Sequence, residues 1–298
     1  MSLNLHLLRL FTAVAQSGSF SKAAEILRLS QPSISKGVRD FELQLGCRLL
    51  DRSPRGVTPT REGRALMRHA ETLFAAERSA EEELRALRGL DSGLLRIGAS
   101  TTIATYLIPD VLGAFHAAHP GIDLHLVSAN TRDIAELMIE HKIEIALVEG
   151  PVDDDTLASE PWQIDVMELI VSPDHPFASI ESPIDPKLIN DEILVIREPG
   201  SGSREVVTQA LAAHGIEPAR TLEIGSTEAI KNTVAATLGV SIVSRSATRD
   251  QIALGRLKAV AMKGLHIERT LWKLKAIGQI TMPAAIAFER LLQKRGRA

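Results

Sequence analysis

The sequence predicts an α/β protein assembled from an N-terminal winged helix-turn-helix, a long linker helix and a two-lobed α/β body. Three observations predict it. Residues 20–36 read as a short helix, a tight turn and a second helix with a polar start, followed by apolar–polar alternation around a Pro-Arg-Gly turn. From Thr60 an apolar repeat alternates by four and three. Beyond Asp91-Ser92-Gly93, apolar strand patterns alternate with amphipathic helices.

The first helix is expected over 4–16, with Leu7, Leu8, Phe11 and Val14 facing inward. Ser19 is placed to cap the next helix, whose Ala23, Ala24 and Leu27 share a face. Leu29-Ser30 makes the turn, and Ser30 caps the second helix with Pro32 in its first turn, where a missing N–H costs little. Ile34, Val38 and Phe41 form its buried stripe, and the opposite face carries Gln31, Ser33, Ser35, Lys36 and Arg39. A surface helical hairpin would read similarly. The alternation over 49–60 adds a small β-hairpin, or wing, presenting Arg52 and Arg55, which a mere hairpin would not need. Such a pair of helices fits the DNA major groove. Gln31, Pro32, Ser33 and Ser35 would then meet base edges, and Lys36, Arg39, Arg52 and Arg55 phosphates or, for the wing, the minor groove.

Charge distribution supports that reading. The chain of 298 residues has a net charge of −3, yet its first 68 residues hold 11 Lys and Arg against 5 Asp and Glu. A basic head on an acidic body suits one part on nucleic acid and the other off it.

The helix after Thr60 is expected to run to about residue 90 with the inward positions Leu66, Ala70, Leu73, Glu77, Ala80, Leu84 and Leu87. A seam sustained over three repeats under a charged exterior favours pairing with a second copy over packing on its own domain. Strands then follow at 94–99, 122–128 and 143–148 with helices at 103–116 and 132–141, the pattern of a parallel sheet. After Pro161 a second set is expected: strands 166–172, 193–197, 221–225 and 240–243 with helices 204–214 and 228–237. A final strand at 271–277 and helix at 282–293 return to the first lobe. The expected domains are 1–59, a dimerising helix 60–90 and an effector-binding body 91–298. In that body lobe I covers about 91–163 and 269–298, and lobe II about 164–268.

Ligands of open α/β sheets lie past the C-terminal strand ends, where helix starts converge. Those ends here are rich in hydroxyls: Ser100, Thr101 and Thr102; Thr131; Ser201, Ser203 and Arg204 after Arg197; Ser226 and Thr227. Each hydroxyl could simply cap its helix. Four such ends facing one cleft point instead to a small, anionic effector, with Arg197 or Arg204 as a bidentate cation. Glu149 points to the same cleft and stays open in meaning: it would repel a bare anion unless paired with an arginine or reading an amino group.

Other classes are poorly supported. There is no Gly-x-Ser-x-Gly elbow, dinucleotide fingerprint or Walker pattern, and His116 and His119 lack the rest of a zinc motif, so no catalytic residue, metal or cofactor is expected. One cysteine, Cys47, excludes a disulfide framework. No apolar run reaches membrane-spanning length and the N-terminus lacks a signal peptide, so a cytoplasmic protein is expected. The rivals are a small-molecule carrier with a helical head and a DNA binder without effector control.

Residues 3–66 resemble the N-terminal domain of LysR-type transcriptional regulators. The stretches that carry it are Leu8-Arg9-Leu10-Phe11, Gly18-Ser19-Phe20-Ser21-Lys22-Ala23-Ala24, Ser30-Gln31-Pro32-Ser33-Ile34-Ser35, Phe41-Glu42 with Leu45-Gly46, and Leu50-Asp51-Arg52 with Thr58-Pro59-Thr60 and Glu62-Gly63. Cys47 and Leu50 depart from the commonest pattern as core variation. The body resembles, more weakly by motif, the periplasmic-binding-protein-like effector domain of that family. The resemblance implies promoter DNA as partner, a homodimer through the linker helix, tetramers through the effector domains, contact with RNA polymerase and no catalysis.

Overall fold

The computed structural model describes residues 3–53, 56–86, 93–150, 152–279 and 281–295. The chain forms two compact units, Met1–Arg78 and Ser79–Ala298.

In the first unit, helix α1 (Leu5–Ser17) is capped by Asn4 and closed by Gly18, whose φ of 65° gives the left-handed turn. Helices α2 (Phe20–Leu27) and α3 (Gln31–Leu45) follow, then the wing strands β1 (Leu50–Ser53) and β2 (Gly56–Pro59), which pair antiparallel. Leu8, Phe11, Val14, Ala23, Ile34, Val38 and Phe41 form the shared core. Helix α4 (Arg61–Ala86) starts at Thr60, whose Oγ1 accepts the Gly63 N–H. Its first turns do not form the expected seam. Leu66, Ala70 and Phe74 pack on their own domain's core, and Glu77 pairs with Arg9 of α1 at 2.5 Å. Domain packing claims those positions first, because their apolar surface meets a core formed by the same chain. Leu73 and Leu84 are left 40% and 65% exposed. Leu87 lies outside the described residues.

In the second unit, β3 (Gly93–Ser100), β4 (Ile122–Ala129) and β5 (Ile145–Glu149) are parallel in the order β4-β3-β5. The single helix expected at 103–116 is two: a π-helical turn at Ile103–Leu107, then α5 (Pro109–Ala118). Pro109 causes the break, since it cannot donate into a continuous helix and starts a new one readily. Helix α6 (Thr131–Ile139) follows β4. Strand β6 (Leu157–Val171) runs straight through Pro161, where the sequence pattern implied a boundary. A bulge beside Trp162 absorbs the residue that cannot donate.

The remaining elements are β7 (Ile193–Ile196), α7 (Gly202–Ala213), β8 (Arg220–Glu223), α8 (Thr227–Ala235), β9 (Ser241–Ser244), α9 (Arg245–Ala253), β10 (Lys258–Val260), β11 (Ile267–Ala276) and α10 (Pro283–Arg295). The sheet is mixed, not parallel throughout: β11 lies antiparallel to both β5 and β6, and β6 carries β9 and β10 antiparallel at its far end. Two long antiparallel strands therefore join two lobes. The first lobe is built on Leu95, Ile97, Phe115, Phe288, Ile134 and Met138. The second is built on Leu169, Val171, Ile196, Leu211, Ile230 and Val234.

Candidate functional site

The recognition face of the first unit is set by two serine caps. Ser19 Oγ accepts the Lys22 N–H and Ser30 Oγ the Ser33 N–H, so each helix begins where its cap stands. Arg28, in the left-handed region at φ 53°, turns the chain between them. With Ile34, Val38 and Phe41 buried, Gln31, Pro32, Ser33, Lys36 and Arg39 are exposed and Ser35 half-buried. The Ser33 hydroxyl lies 2.7 Å from that of Ser30, so part of its hydrogen-bonding capacity serves the cap. Arg52 rises from β1 and stacks over the Phe20 ring at 4.5 Å. Arg55 lies outside the described residues. Two further features were not legible in sequence. Glu42 Oε1 accepts the Leu49 and Leu50 N–H groups, fixing where the wing leaves α3, and Arg48 borders one concavity with Arg39 and Arg52.

In the second unit strand ends and helix starts of the two lobes come into contact. The order β4-β3-β5 places the topological switch between β3 and β5, at Ser100 and Glu149. The lobes touch there. Arg197 Nη2 of the second lobe donates to Thr101 Oγ1 of the first, the Arg132 N–H to the Gly200 carbonyl, and Tyr106 Oη to Glu228. Gly202, first residue of α7, lies so close to β5 that a Cβ on it would stand 1.7 Å from the Glu149 carbonyl oxygen.

The sequence-predicted residues divide into those already engaged and those that are not. Arg197 is buried, but its guanidinium clamps Glu198 at 2.7 and 2.8 Å and also donates to Thr101 and Thr227, which commits most of its N–H groups. The bidentate role expected for it toward a ligand is taken by its own neighbour in the chain. Arg204 Nη1 donates to Glu223 and to the Arg197 carbonyl, which ties one edge of its guanidinium to its own lobe. Ser226 caps α8 by accepting the Ala229 N–H, the plain alternative for such a residue. Ser203 donates to Glu149 Oε2 at 2.9 Å, and Thr102 is buried near the same carboxylate.

What remains is a coherent set. Among the described residues, the buried hydroxyls of Ser100, Thr131 and Ser201 have no hydrogen-bond partner, and neither does buried Glu149 Oε1. Thr131 is free because Asn130 caps α6 in its place, accepting the Asp133 N–H. Ser201 precedes α7 without capping it. A buried polar group without a partner costs about 1–3 kcal/mol, so several together at converging helix starts are suited to a ligand that supplies the missing bonds.

The charge that balances Glu149 was not anticipated. Arg269 of β11 stands opposite Asp165 of β6 in the ladder, and its side chain reaches both carboxylates and Ser203. Nε lies 2.8 Å from Asp165 Oδ2, Nη1 2.7 Å from Ser203 Oγ and 3.4 Å from Glu149 Oε2. Ser244 Oγ completes the network on Asp165 at 2.7 Å. Burial by itself raises the Glu149 pKa. The Arg269 guanidinium, the Thr102 and Ser203 hydroxyls and Arg197 outweigh it and hold the carboxyl below its ordinary value. Burial and the bond to Glu228 raise the Tyr106 pKa, so that phenol stays a donor.

Among the described residues no helix is long and apolar enough to cross a membrane, and no group of three or more His, Cys, Asp or Glu is arranged to hold a metal ion. The family model of the bacterial regulatory helix-turn-helix proteins of the lysR family matches residues 5–64, and that of the LysR substrate binding domain matches residues 88–297. The HTH-type transcriptional regulator YeiE of Escherichia coli strain K12 is 32% identical over 274 residues, covering 92% of each chain. Among solved structures, a point variant of full-length OxyR from Pseudomonas aeruginosa is 25% identical with a TM-score of 0.78, covering all of this chain and 95% of that one. The CcmR regulatory domain of Synechocystis PCC6803 in complex with 2-PG is 29% identical with a TM-score of 0.64, covering 69% of this chain and 98% of that one.

Proposed function

This chain belongs to the LysR family of transcriptional regulators, with an effector-binding domain, and from that premise we propose that a small anion bound between the lobes of the second unit controls its grip on promoter DNA. The observation that carries the reading is the set of buried hydroxyls of Ser100, Thr131 and Ser201, unpartnered among the described residues, at helix starts on both lobes. Hydroxyls and helix N-termini converging from two sides favour negative charge, and bonds made to both lobes favour one closure over another. That the CcmR regulatory domain is in complex with 2-PG supports a small-molecule ligand for the second unit.

On DNA, Gln31, Pro32, Ser33 and Ser35 read base edges in the major groove, while Lys36, Arg39, Arg52 and Arg55 hold the backbone or, for the wing, the minor groove. The exposed Leu73 and Leu84 of α4 pair two chains, so that two α3 helices meet two half-sites, and two such dimers form a tetramer. The regulator acts in the cytoplasm, beside RNA polymerase.

The test is a thermal melt at fixed ionic strength against sulfate, phosphate and small carboxylates. A ligand at a hundredfold excess over its Kd stabilises the native state by about 2.7 kcal/mol. For a unit of this size that is a rise of about 5–10 °C. Ser100→Ala with Thr131→Ala is expected to abolish the shift and leave DNA affinity intact. A shift that survives both substitutions overturns the reading.

A further inference from the structure

We propose that Glu149 selects the effector by a hydrogen-bond donor: the ligand is an acid that carries a hydroxyl or an ammonium group beside its anionic group. The inference rests on the anion site above and names its ligand class more narrowly. Glu149 ends β5 at the switch point and is 2% exposed. Its two oxygens are treated differently. Oε2 accepts from Ser203 and faces Arg269 at 3.4 Å, so that oxygen is satisfied and its charge balanced. Thr102 lends the carboxylate a nearby hydroxyl, yet Oε1 is buried and makes no hydrogen bond of good geometry among the described residues, where the hydroxyls of Ser100, Thr131 and Ser201 are also unpartnered.

An ionised carboxylate oxygen only accepts. A hydroxyl both donates and accepts, so the three hydroxyls are content with an anion's oxygens. Oε1 is not. Against a bare anion it would stay unsatisfied and add repulsion, while a ligand O–H or N–H pointed at it removes both penalties. Arg269 keeps the carboxylate ionised and in place from behind, so the acceptor is already oriented when ligand arrives. A site built around a buried polar group rejects the analogue lacking the matching group, because the group is then left unpaired.

The experiment compares matched acids by calorimetry and thermal melts on the full chain: glycolate with acetate and lactate with propionate for the hydroxyl arm, and glycine with acetate and alanine with propionate for the ammonium arm. Sulfate and phosphate serve as controls for the anion site itself. In at least one arm the donor-bearing acid is expected to bind at least about tenfold more tightly than its partner. Glu149→Gln, which keeps shape and offers both a donor and an acceptor, is expected to erase that difference. Pairs whose members bind equally overturn the role given to Glu149 and leave the anion site standing. A protein that no anion shifts, sulfate and phosphate included, overturns the anion site and this inference with it. The comparison within wild-type protein decides the matter even if the variant is unstable.

Discussion

Replacing Arg269 with Met keeps volume and removes a cation that the buried Glu149 and Asp165 share. Arg269, Glu149 and Asp165 are 4%, 2% and 4% exposed, so water does not take over the lost partner. Removing one member of a buried ion pair costs about 3–5 kcal/mol, mostly the charge left uncompensated. For a unit of this size, at about 2–4 °C per kcal/mol, the melting temperature should fall by about 6–20 °C. The loss also has a pH signature. In the native protein the Glu149 pKa lies below its unfolded value, so the group adds stability above that range and loses it as pH falls through the depressed value. Without Arg269, burial is left to raise the pKa, and protonation on acidification relieves the penalty. The gap between wild type and Arg269→Met, measured by urea unfolding at pH 8 and pH 5, is therefore expected to narrow at the lower pH. A cost below about 1 kcal/mol, or a gap that widens on acidification, refutes the assignment of Arg269 as the counter-charge of the strands joining the lobes.

Gln31→Ala should relax sequence preference at one position of each half-site, whereas Arg52→Ala should weaken binding to all sequences alike and lower the salt slope by about one. Footprinting and an affinity series across salt separate the two, and the reverse pattern would exchange their roles. Leu84→Glu, on the exposed part of α4, should shift sedimentation toward monomer, and an unchanged dimer would mean that the helix pairs through other positions. Gly202→Ala puts a methyl group against the Glu149 carbonyl, so α7 must retreat from β5. A loss of about 1–3 kcal/mol is expected in denaturant melts, together with a smaller phosphate-induced shift. Wild-type behaviour on both counts would show that the close approach is not maintained in solution.

Four of the helix starts were legible because a cap acts within three residues, whereas α9 was not expected from the sequence. Ser19, Ser30, Thr60 and Ser226 each accept the N–H three positions on, and nothing distant decides that. The same locality makes Pro109 the natural start of a helix, and the continuous helix read across it neglected that signal. Pro161 misled in the opposite direction. It looks like a boundary in sequence, but pairing with β11 and a bulge at the next residue carry the strand past it. Arg204 shows the limit for side chains: its place near a helix start suited a ligand clamp, but that Glu223, nineteen positions on, pairs with its Nη1 was not visible in the sequence.

The sequence by itself determined the helix-turn-helix with its wing, the alternation of strands and helices, and which hydroxyls stand at helix starts, because caps, turns and periodicities are short-range physics. Only the tertiary structure decided which of those hydroxyls remain unpartnered among the described residues, that Arg197 is clamped by Glu198, and that Arg269 pairs with Asp165 across β11 and β6 beside Glu149. A charge in a strand reads locally like any solvent-facing residue. Whether it is buried, and against what, depends on a ladder between residues 104 positions apart, and no local pattern encodes that pairing.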